Sequence, residues 1–339
     1  MSESIPFVDV GALFGGHSIA RERTDAAFMD AATTSGFLCV TGLPARIRCD
    51  AGARDQLLKL FALPAPVLRP LWRRKFAPAN PNVYRGWFPL QPGNLTSKDG
   101  IDMGADVAYG PGVCQADDPL REPTPLPEPG LLPGWHEAVA ACYLDMEAIS
   151  RALMRSLARS LGVGEGFFDA AFERGLSTLR LLRYPLRTDL ELAAGANEGF
   201  WQTHAGRRHF LAGAAHVDSG FLTVLAQHRV AGLQARHHDG TWIDVPPVEG
   251  ALAVNFGRVL ERWSAGRIRA TEHRVLGASE ERFSIAFFHE ARADAEIRPL
   301  PIDAPGSFAP FLFGDYLWSR ITQFVEFRGM EGLRKPRRG

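Results

Sequence analysis

What the sequence lacks first is a surplus of charge. Lysine plus arginine number 38 and aspartate plus glutamate number 38, which removes the electrostatic reason to expect a nucleic acid or an anionic membrane as main partner. It also lacks any uninterrupted apolar run near the roughly 20 residues needed to cross a bilayer. The opening MSESIPFVDVGALF has neither the basic start nor the apolar centre of an export signal, and we expect a cytoplasmic protein. Cysteine is scarce. Cys39, Cys49, Cys114 and Cys142 are scattered without CxxC spacing, so neither a thiolate zinc site nor a disulfide framework is expected. Internal repeats and low-complexity tracts are missing too. What survives is a globular chain of 339 residues, long enough to bury a large core and open to a small neutral or zwitterionic partner.

The pattern begins as α/β. IPFVDVGAL reads as a short strand, and the stretch from Ala20 as an amphipathic helix stopped at Gly36 before the strand FLCVTGL. Residues 62–134 are broken by proline and glycine but interleaved with aromatics, which suggests long loops wrapped around a core. The longest helical pattern follows, ending at Gly162, and should brace the core from outside. From Thr178 the period becomes that of strands: LRLLRYP, FLTVLAQ, GLQARH, TWIDVPP, GALAVNF, EHRVL and RFSIAFFHE. Short strands separated by turns indicate a sandwich or jelly-roll barrel. The tail GDYLWSRITQFVEFRGMEGL reads as a closing helix.

Two HxD tripeptides occur. His237-His238-Asp239 is followed by Gly240 between two strand-like runs, the signature of a hairpin tip. His216-Val217-Asp218 stands where a loop enters a strand, so His216 and Asp218 point to one face and Val217 to the other. A third ligand is needed, and His273 in another strand-like run can supply it. Two imidazoles and one carboxylate on one side of an iron leave three positions open; a lone buried histidine is as readily a hydrogen-bonded core residue. In RFSIAFF, Arg282, Ser284, Ala286 and Phe288 share a strand face, with His289 on the opposite one. The arginine fork matches a carboxylate, and the serine can add a bond. A salt bridge to an acidic side chain would account for such an arginine equally well.

The order HxD, His, RxS resembles the Fe(II)/2-oxoglutarate-dependent oxygenases, in the branch of isopenicillin N synthase, bacterial ethylene-forming enzyme and the plant gibberellin and flavonoid oxidases. The likeness runs through SGFLCVTGL, YRGWFP, KDGIDMG, LRLLRYP, HVDSGFLTVLAQ, GTWIDVPP, AVNFG, EHRV and RFSIAFF. It implies that His216, Asp218 and His273 are the iron ligands, that Arg282 and Ser284 hold the distal carboxylate of the 2-oxoglutarate co-substrate, and that Tyr184 supports it. Where many plant members place asparagine two residues before that tyrosine, this chain has Leu182.

The implied fold is mainly β with flanking helices around a double-stranded β-helix, the cupin-like jelly roll. Within one compact domain we expect an N-terminal α/β region over 1–120, a bracing helix region over 121–175, the catalytic core over 176–292 and a C-terminal helix region over 293–339. The implied activity is oxidation of a small molecule by O2, whether hydroxylation, desaturation or cyclisation, with 2-oxoglutarate converted to succinate and CO2. The alternatives are a 2-oxoglutarate-independent oxidase of the isopenicillin N synthase type, in which Arg282 and Ser284 grip the substrate's own carboxylate, and a metal- or ligand-binding jelly roll without redox chemistry. Candidate substrate contacts are Tyr84, Arg85 and Phe88, which suit a pocket or plain packing equally, and Arg207. The last lies in the glycine-rich stretch between Tyr184 and His216, read as a loop.

Overall fold

The computed structural model describes residues 4–48, 50–90, 98–187, 200–303, 308–324 and 326–337. The N-terminal part contributes strands β1 (Phe7–Asp9), β2 (Phe37–Thr41), β3 (Gly86–Phe88) and β4 (Asp99–Met103). Then come β5 (Thr178–Tyr184), β6 (Trp201–His204), β7 (Arg207–His216), β8 (Leu222–His228) and β9 (Leu233–Arg236). The series ends with β10 (Trp242–Asp244), β11 (Leu252–Phe256), β12 (His273–Leu276) and β13 (Arg282–His289). Eight of them form a sheet in the order β1-β2-β11-β8-β13-β5-β4-β3, and five form a second in the order β10-β9-β12-β7-β6. All pairs but β1 with β2 are antiparallel. The curled, mainly antiparallel arrangement is the double-stranded β-helix that the family resemblance implies.

Side chains alternate across a strand, and here alternation divides the eight-stranded sheet between two environments. Leu179, Leu181, Leu222, Val224, Leu252, Val254, Ile285 and Phe287 join the core shared with the helices. Leu182, Tyr184 and Ala253 of this sheet meet Ala212, Leu233, Ala235 and Val275 of the other, filling the space between the sheets. The helix Trp135–Leu161 covers the outer face. Its buried Val139, Tyr143, Met146, Ser150, Leu153 and Leu157 recur every three or four residues, and Tyr143 meets Phe287 edge to face at 5.0 Å between centroids. It stops where Gly162 takes a left-handed conformation (φ 77°) and bonds back to Ala158 O, a conformation for which glycine has no steric penalty.

Three segments differ from the sequence reading. The proline-rich stretch 62–134 is not only loop, because Gly86–Phe88 and Asp99–Met103 extend the sheet beyond β5. Such short strands carry no readable alternation. The stretch between Tyr184 and His216 is in part a hairpin, β6 with β7, turning at Ala205 and Gly206, both at positive φ; residues 188–199 lie outside the described part. The closing helix runs only over Phe313–Ile321; Phe324, Glu326 and Phe327 beyond it line a cavity, and a short 3-10 segment follows at Glu331–Leu333. Cys39, Cys114 and Cys142 are in no disulfide, as expected, and Cys49 lies outside the described residues.

The edge strands are locked to β5 by charge. Asp102 on β4 receives Arg180 Nε and Nη2 at 2.5 and 2.7 Å, and on its other side it pairs with the fully buried Arg73. Burial alone would raise the Asp102 carboxyl, but Arg180 and Arg73 outweigh it and hold it at about 2, below the ordinary 3.8. Removing one member of a buried ion pair leaves a charge without compensation, so Asp102→Ala should lower the free energy of unfolding by about 3–5 kcal/mol in urea titrations at neutral pH. Because the folded value is depressed, the contribution is complete above the unfolded value and disappears as pH falls through the folded one. The difference between wild type and variant should therefore shrink below pH 3.8 and vanish near 2.

Candidate metal centre and adjoining cavity

The antiparallel register of β7 and β12 sets His216 directly opposite His273, and their ring centroids lie 4.3 Å apart. Asp218, two residues beyond β7, turns back beneath them. Its Oδ1 is 3.6 Å from His216 Nε2 and 3.8 Å from His273 Nε2. One ligand atom from each of the three lies within 4.8 Å of the others, and among the described residues this is the one such group of His, Cys, Asp and Glu.

The surroundings orient each ligand atom. His216 Nδ1 is 2.8 Å from Ala214 O and His273 Nδ1 is 3.2 Å from Thr271 O. A carbonyl can only accept, so both protons sit on Nδ1 and both Nε2 lone pairs face the centre. Asp218 Oδ2 accepts from Thr223 Oγ1 at 2.6 Å and Asn255 Nδ2 at 2.8 Å, which leaves Oδ1 for a metal. Burial and the neighbouring His273 push the His216 imidazole down to about 4, so it is neutral at physiological pH. Burial acts to raise Asp218, but the two histidines and the bonds from Thr223 and Asn255 prevail and lower it. Two imidazoles and one carboxylate with an open side suit Fe(II) in the facial arrangement of non-haem oxygenases.

The second predicted group lies deeper between the sheets. Arg282 opens β13 opposite Tyr184, with its guanidinium 4.8 Å above the phenol ring, and is 2 % exposed. Nη2 donates to Gln227 Oε1 at 3.3 Å. Nε, Nη1 and the hydroxyl of Ser284, two residues on, are buried with no hydrogen-bond partner among the described residues. No acidic side chain is paired with it among the described residues, so the salt-bridge reading of Arg282 finds no partner. Burial lowers the arginine; in Tyr184 burial acts to raise the phenol, but Arg282 outweighs it and the net shift is downward. A desolvated cation with spare donors beside a serine hydroxyl and a phenol is a seat for a carboxylate.

Beside the His-Asp-His cluster opens a cavity of about 310 Å³. His216 and Asp218 form one side; Thr178, Arg180, Phe288 and Glu290 form the β5–β13 wall, and the C-terminal segment closes it. It shares Val217, Ser219 and Phe324 with a wider groove of about 780 Å³. Of the four candidate substrate contacts, Tyr84 lines this cavity. Arg85 does not, since its guanidinium is spent on Thr178 Oγ1 and Leu176 O at 2.5 and 3.1 Å. Phe88 packs against the guanidinium faces of Arg73 and Arg180. Arg207 begins β7 at an exposed hairpin end. Sequence reasoning passed over Lys98, Arg180 and Glu290. Alternation could have found the last, because it continues the Arg282, Ser284, Ala286, Phe288 face. His237 and Asp239 lie at the tip joining β9 and β10, with Gly240 at φ 93° and Asp239 accepting from Thr241 N at 2.8 Å.

A jelly roll that gathers two histidines and an aspartate above a buried arginine is the architecture of a non-haem iron oxygenase. Residues 183–291 match the model of the 2OG-Fe(II) oxygenase superfamily, and the chain belongs to that superfamily. It is 27% identical over 335 residues to isopenicillin N synthase of Streptomyces clavuligerus, covering 97% of this chain and 98% of that protein. It is also 27% identical to gibberellin 20 oxidase 2 of Oryza sativa subsp. japonica, covering 95% and 75% of the two chains. In fold it is similar to a full-length Neurospora crassa protein crystallised in complex with alpha-KG, at a TM-score of 0.78 and 24% identity over 94% of this chain and 96% of that one. The protein is thus an Fe(II)- and 2-oxoglutarate-dependent dioxygenase acting on a small molecule with O2. No helix among the described residues is long and apolar enough to cross a membrane.

If Asn255 orients the aspartate, Asn255→Leu should weaken Fe(II) affinity about ten- to a hundredfold. In a chelator competition under anaerobic conditions, His216→Ala and Asp218→Ala should retain no metal, while His237→Ala should match wild type.

Proposed function

We propose that His216, Asp218 and His273 hold the Fe(II), that Arg282, Ser284 and Tyr184 bind the distal carboxylate of 2-oxoglutarate, and that the adjoining cavity admits the small molecule to be oxidised. One observation carries this reading. Among the described residues, two N–H groups of a buried guanidinium and a serine hydroxyl lie without hydrogen-bond partners on the strand face that leads to the His-Asp-His cluster. Leaving such groups unmet costs about 1–3 kcal/mol each, more for a charged one, and an anion on that spot removes the cost. Fe(II) in this donor set supplies redox chemistry toward O2 and open positions for a chelating keto acid.

The chain's own part is positioning. The β7–β12 register aims the two Nε2 atoms; Thr223 and Asn255 turn the aspartate; the apolar lining from Leu233, Ala235, Ala253 and Val275 keeps water away from the arginine, where a charge-assisted bond counts for more than in solvent. We read residues 176–292 as the catalytic core and 1–120, 121–175 and 293–339 as regions bracing it. The balance of 38 basic and 38 acidic residues favours neither nucleic acid nor membrane as a partner, which accords with a cytoplasmic enzyme.

Anaerobic titration of the Fe(II) protein with 2-oxoglutarate should produce the visible charge-transfer absorption of the chelate. Arg282→Gln should weaken 2-oxoglutarate binding about ten- to a hundredfold, equivalent to about 1.4–2.7 kcal/mol, with iron retained. A wild type that binds iron yet gives no absorption would reassign Arg282 to a carboxylate of the substrate. That result would make the protein a 2-oxoglutarate-independent oxidase.

A further inference from the structure

The wider groove outside the cavity begins one hydrogen bond from Asp218. The amide of Arg258 donates to Asp218 O at 2.8 Å and that of Val259 to Gly220 O at 3.0 Å, which seats the short helix Arg258–Trp263 against the loop that carries Asp218. Arg258 and Arg262 share one face of that helix, about 6 Å apart along its axis. Both line the groove together with Arg320 of the closing helix. Val217, Ser219 and Phe324 border groove and cavity alike, and the Tyr316 hydroxyl ties the closing helix to Ser219 O at 3.2 Å.

The three arginines are not used alike. Arg258 lies 3.4 Å from Glu261, and Glu261 gives its other oxygen to the Ala270 amide at 3.0 Å. Arg262 lies instead on aromatic faces, 4.4 Å over Phe308 and 5.2 Å over Phe311. Arg320 lies 5.3 Å over Tyr316, whose hydroxyl it also reaches. Phe311 and Tyr316 stand 5.2 Å apart, so the two guanidinium groups flank one aromatic pair. Among the described residues no carboxylate is within ion-pair distance of either. Glu261 is taken by Arg258, and neither Glu290 of the adjoining cavity nor Asp303 beside Ile302 pairs with them. An aromatic face attracts a cation without neutralising it, and a cleft lined by charge of one sign gathers ligands of the other.

Exposed cation–π pairs stabilise a surface weakly and need no ligand. Here they line a concave space that runs into the cavity beside the His-Asp-His cluster. Trp263 and Leu300, each 6 % exposed, give that space an apolar lining. Phe324, on the ridge between the two spaces, is 44 % exposed, and a ligand crossing the ridge would take that ring out of water. We propose that the groove is the outer half of the substrate site. The carbon to be oxidised enters the cavity, an apolar body crosses Phe324 above Val217 and Ser219, and an anionic group at the far end, a carboxylate or a phosphate, rests between Arg262 and Arg320. The substrate is then an elongated amphipathic anion, selected by the length between its reacting carbon and its charge. This rests on the oxygenase reading of the metal centre, which makes the cavity the place of oxidation.

The test uses full-length protein loaded with redox-inert Ni(II) and saturated with 2-oxoglutarate, so that Arg282 is not available to the probes. The probes are ω-phenylalkanoic acids of increasing chain length, the matching primary amides and amines, and ω-phenylalkyl phosphates, with binding measured by calorimetry. Beyond a threshold length, wild type should bind an anion about tenfold or more tightly than the amide of equal length. The tighter of acid and phosphate identifies the group that the groove takes. The double variant Arg262→Gln/Arg320→Gln should bind amides as wild type does and lose that preference. Arg267→Gln removes a cation from the same surface but outside the groove and should keep it. Phe324→Ala should weaken long anions and long amides alike by about threefold or more. All variants should keep wild-type affinity for 2-oxoglutarate, which also reports that they are folded. The proposal is overturned if the double variant keeps the preference, if Arg267→Gln loses it as well, if chain length makes no difference, if Phe324→Ala leaves binding unchanged, if amines bind more tightly than the anions, or if no probe binds. Failure of 2-oxoglutarate itself to bind would instead remove the oxygenase reading beneath it.

Discussion

The pairing of β7 with β12 is the contact on which the chemistry of this molecule depends. It sets His216 opposite His273 although 57 residues separate them in the chain, and a slip of one residue would turn one imidazole to the other side of the sheet. Register is held by what lies around it. Ala235 of β9 stands beside His273 on its other flank, and β7 and β12 are joined below the histidines by Val275 with Gly213 and Leu276 with Leu211, with bulges between. Bulges of this kind re-aim side chains, and here they lie next to the ligand pair. The backbone carbonyls of Ala214 and Thr271 then fix which nitrogen of each ring is available.

Buried charge is distributed with a consistent logic around this centre. Several guanidinium groups are met by carboxylates: Arg73 and Arg180 share Asp102, Arg183 meets Asp99, and Arg334 meets Asp118 and Asp315. Arg282 departs from that pattern. It is as buried as any of them yet has only a glutamine oxygen and an aromatic face for company. Arg85 and Arg274 also lack a carboxylate but are met by Thr178 and Leu176 and by Gln234 and Gln202, whereas Arg282 keeps Nε and Nη1 unmet among the described residues. A buried ion left open in this way is expensive for stability and so marks a place where a ligand completes the structure.

The parts of this arrangement that were legible in the sequence are those with a strand's period of two. His216 and Asp218 on one face, Arg282 and Ser284 on another, and the Asp239-Gly240 hairpin tip all follow from alternation or turn chemistry within a few residues. The run of short strands after Thr178 indicated a sandwich or jelly-roll barrel, and the family resemblance narrowed it to the double-stranded β-helix. Strands β3 and β4 were missed because three and five residues rich in glycine and aspartate hold no pattern of their own; pairing with β5 and the Asp102 charges create them. The β6–β7 hairpin was hidden for a related reason, since AGAAH at its end lacks the branched residues that usually mark a strand. The cavity wall was illegible in a deeper sense. Lys98, Arg180, Glu290 and Glu326 come from four separate segments, and only the fold makes them neighbours.

Strand β13 brings the two kinds of information together. Its odd-numbered residues Ile285 and Phe287 pack toward the helices, so its position in the sheet is secured by hydrophobic burial with no contribution from the functional face. The even-numbered face is thereby free to carry polar groups in series: Arg282 and Ser284 deep between the sheets, Ala286 where space is needed, then Phe288 and Glu290 at the cavity. Adjacent even positions are about 6.6 Å apart, so the order of residues along one strand becomes an order of distances from the metal ligands. Moving any of these groups by two positions would carry it from the space between the sheets toward the cavity, or the reverse. The strand therefore acts as a ruler as well as a wall, and its outward, apolar half is what keeps the ruler from sliding.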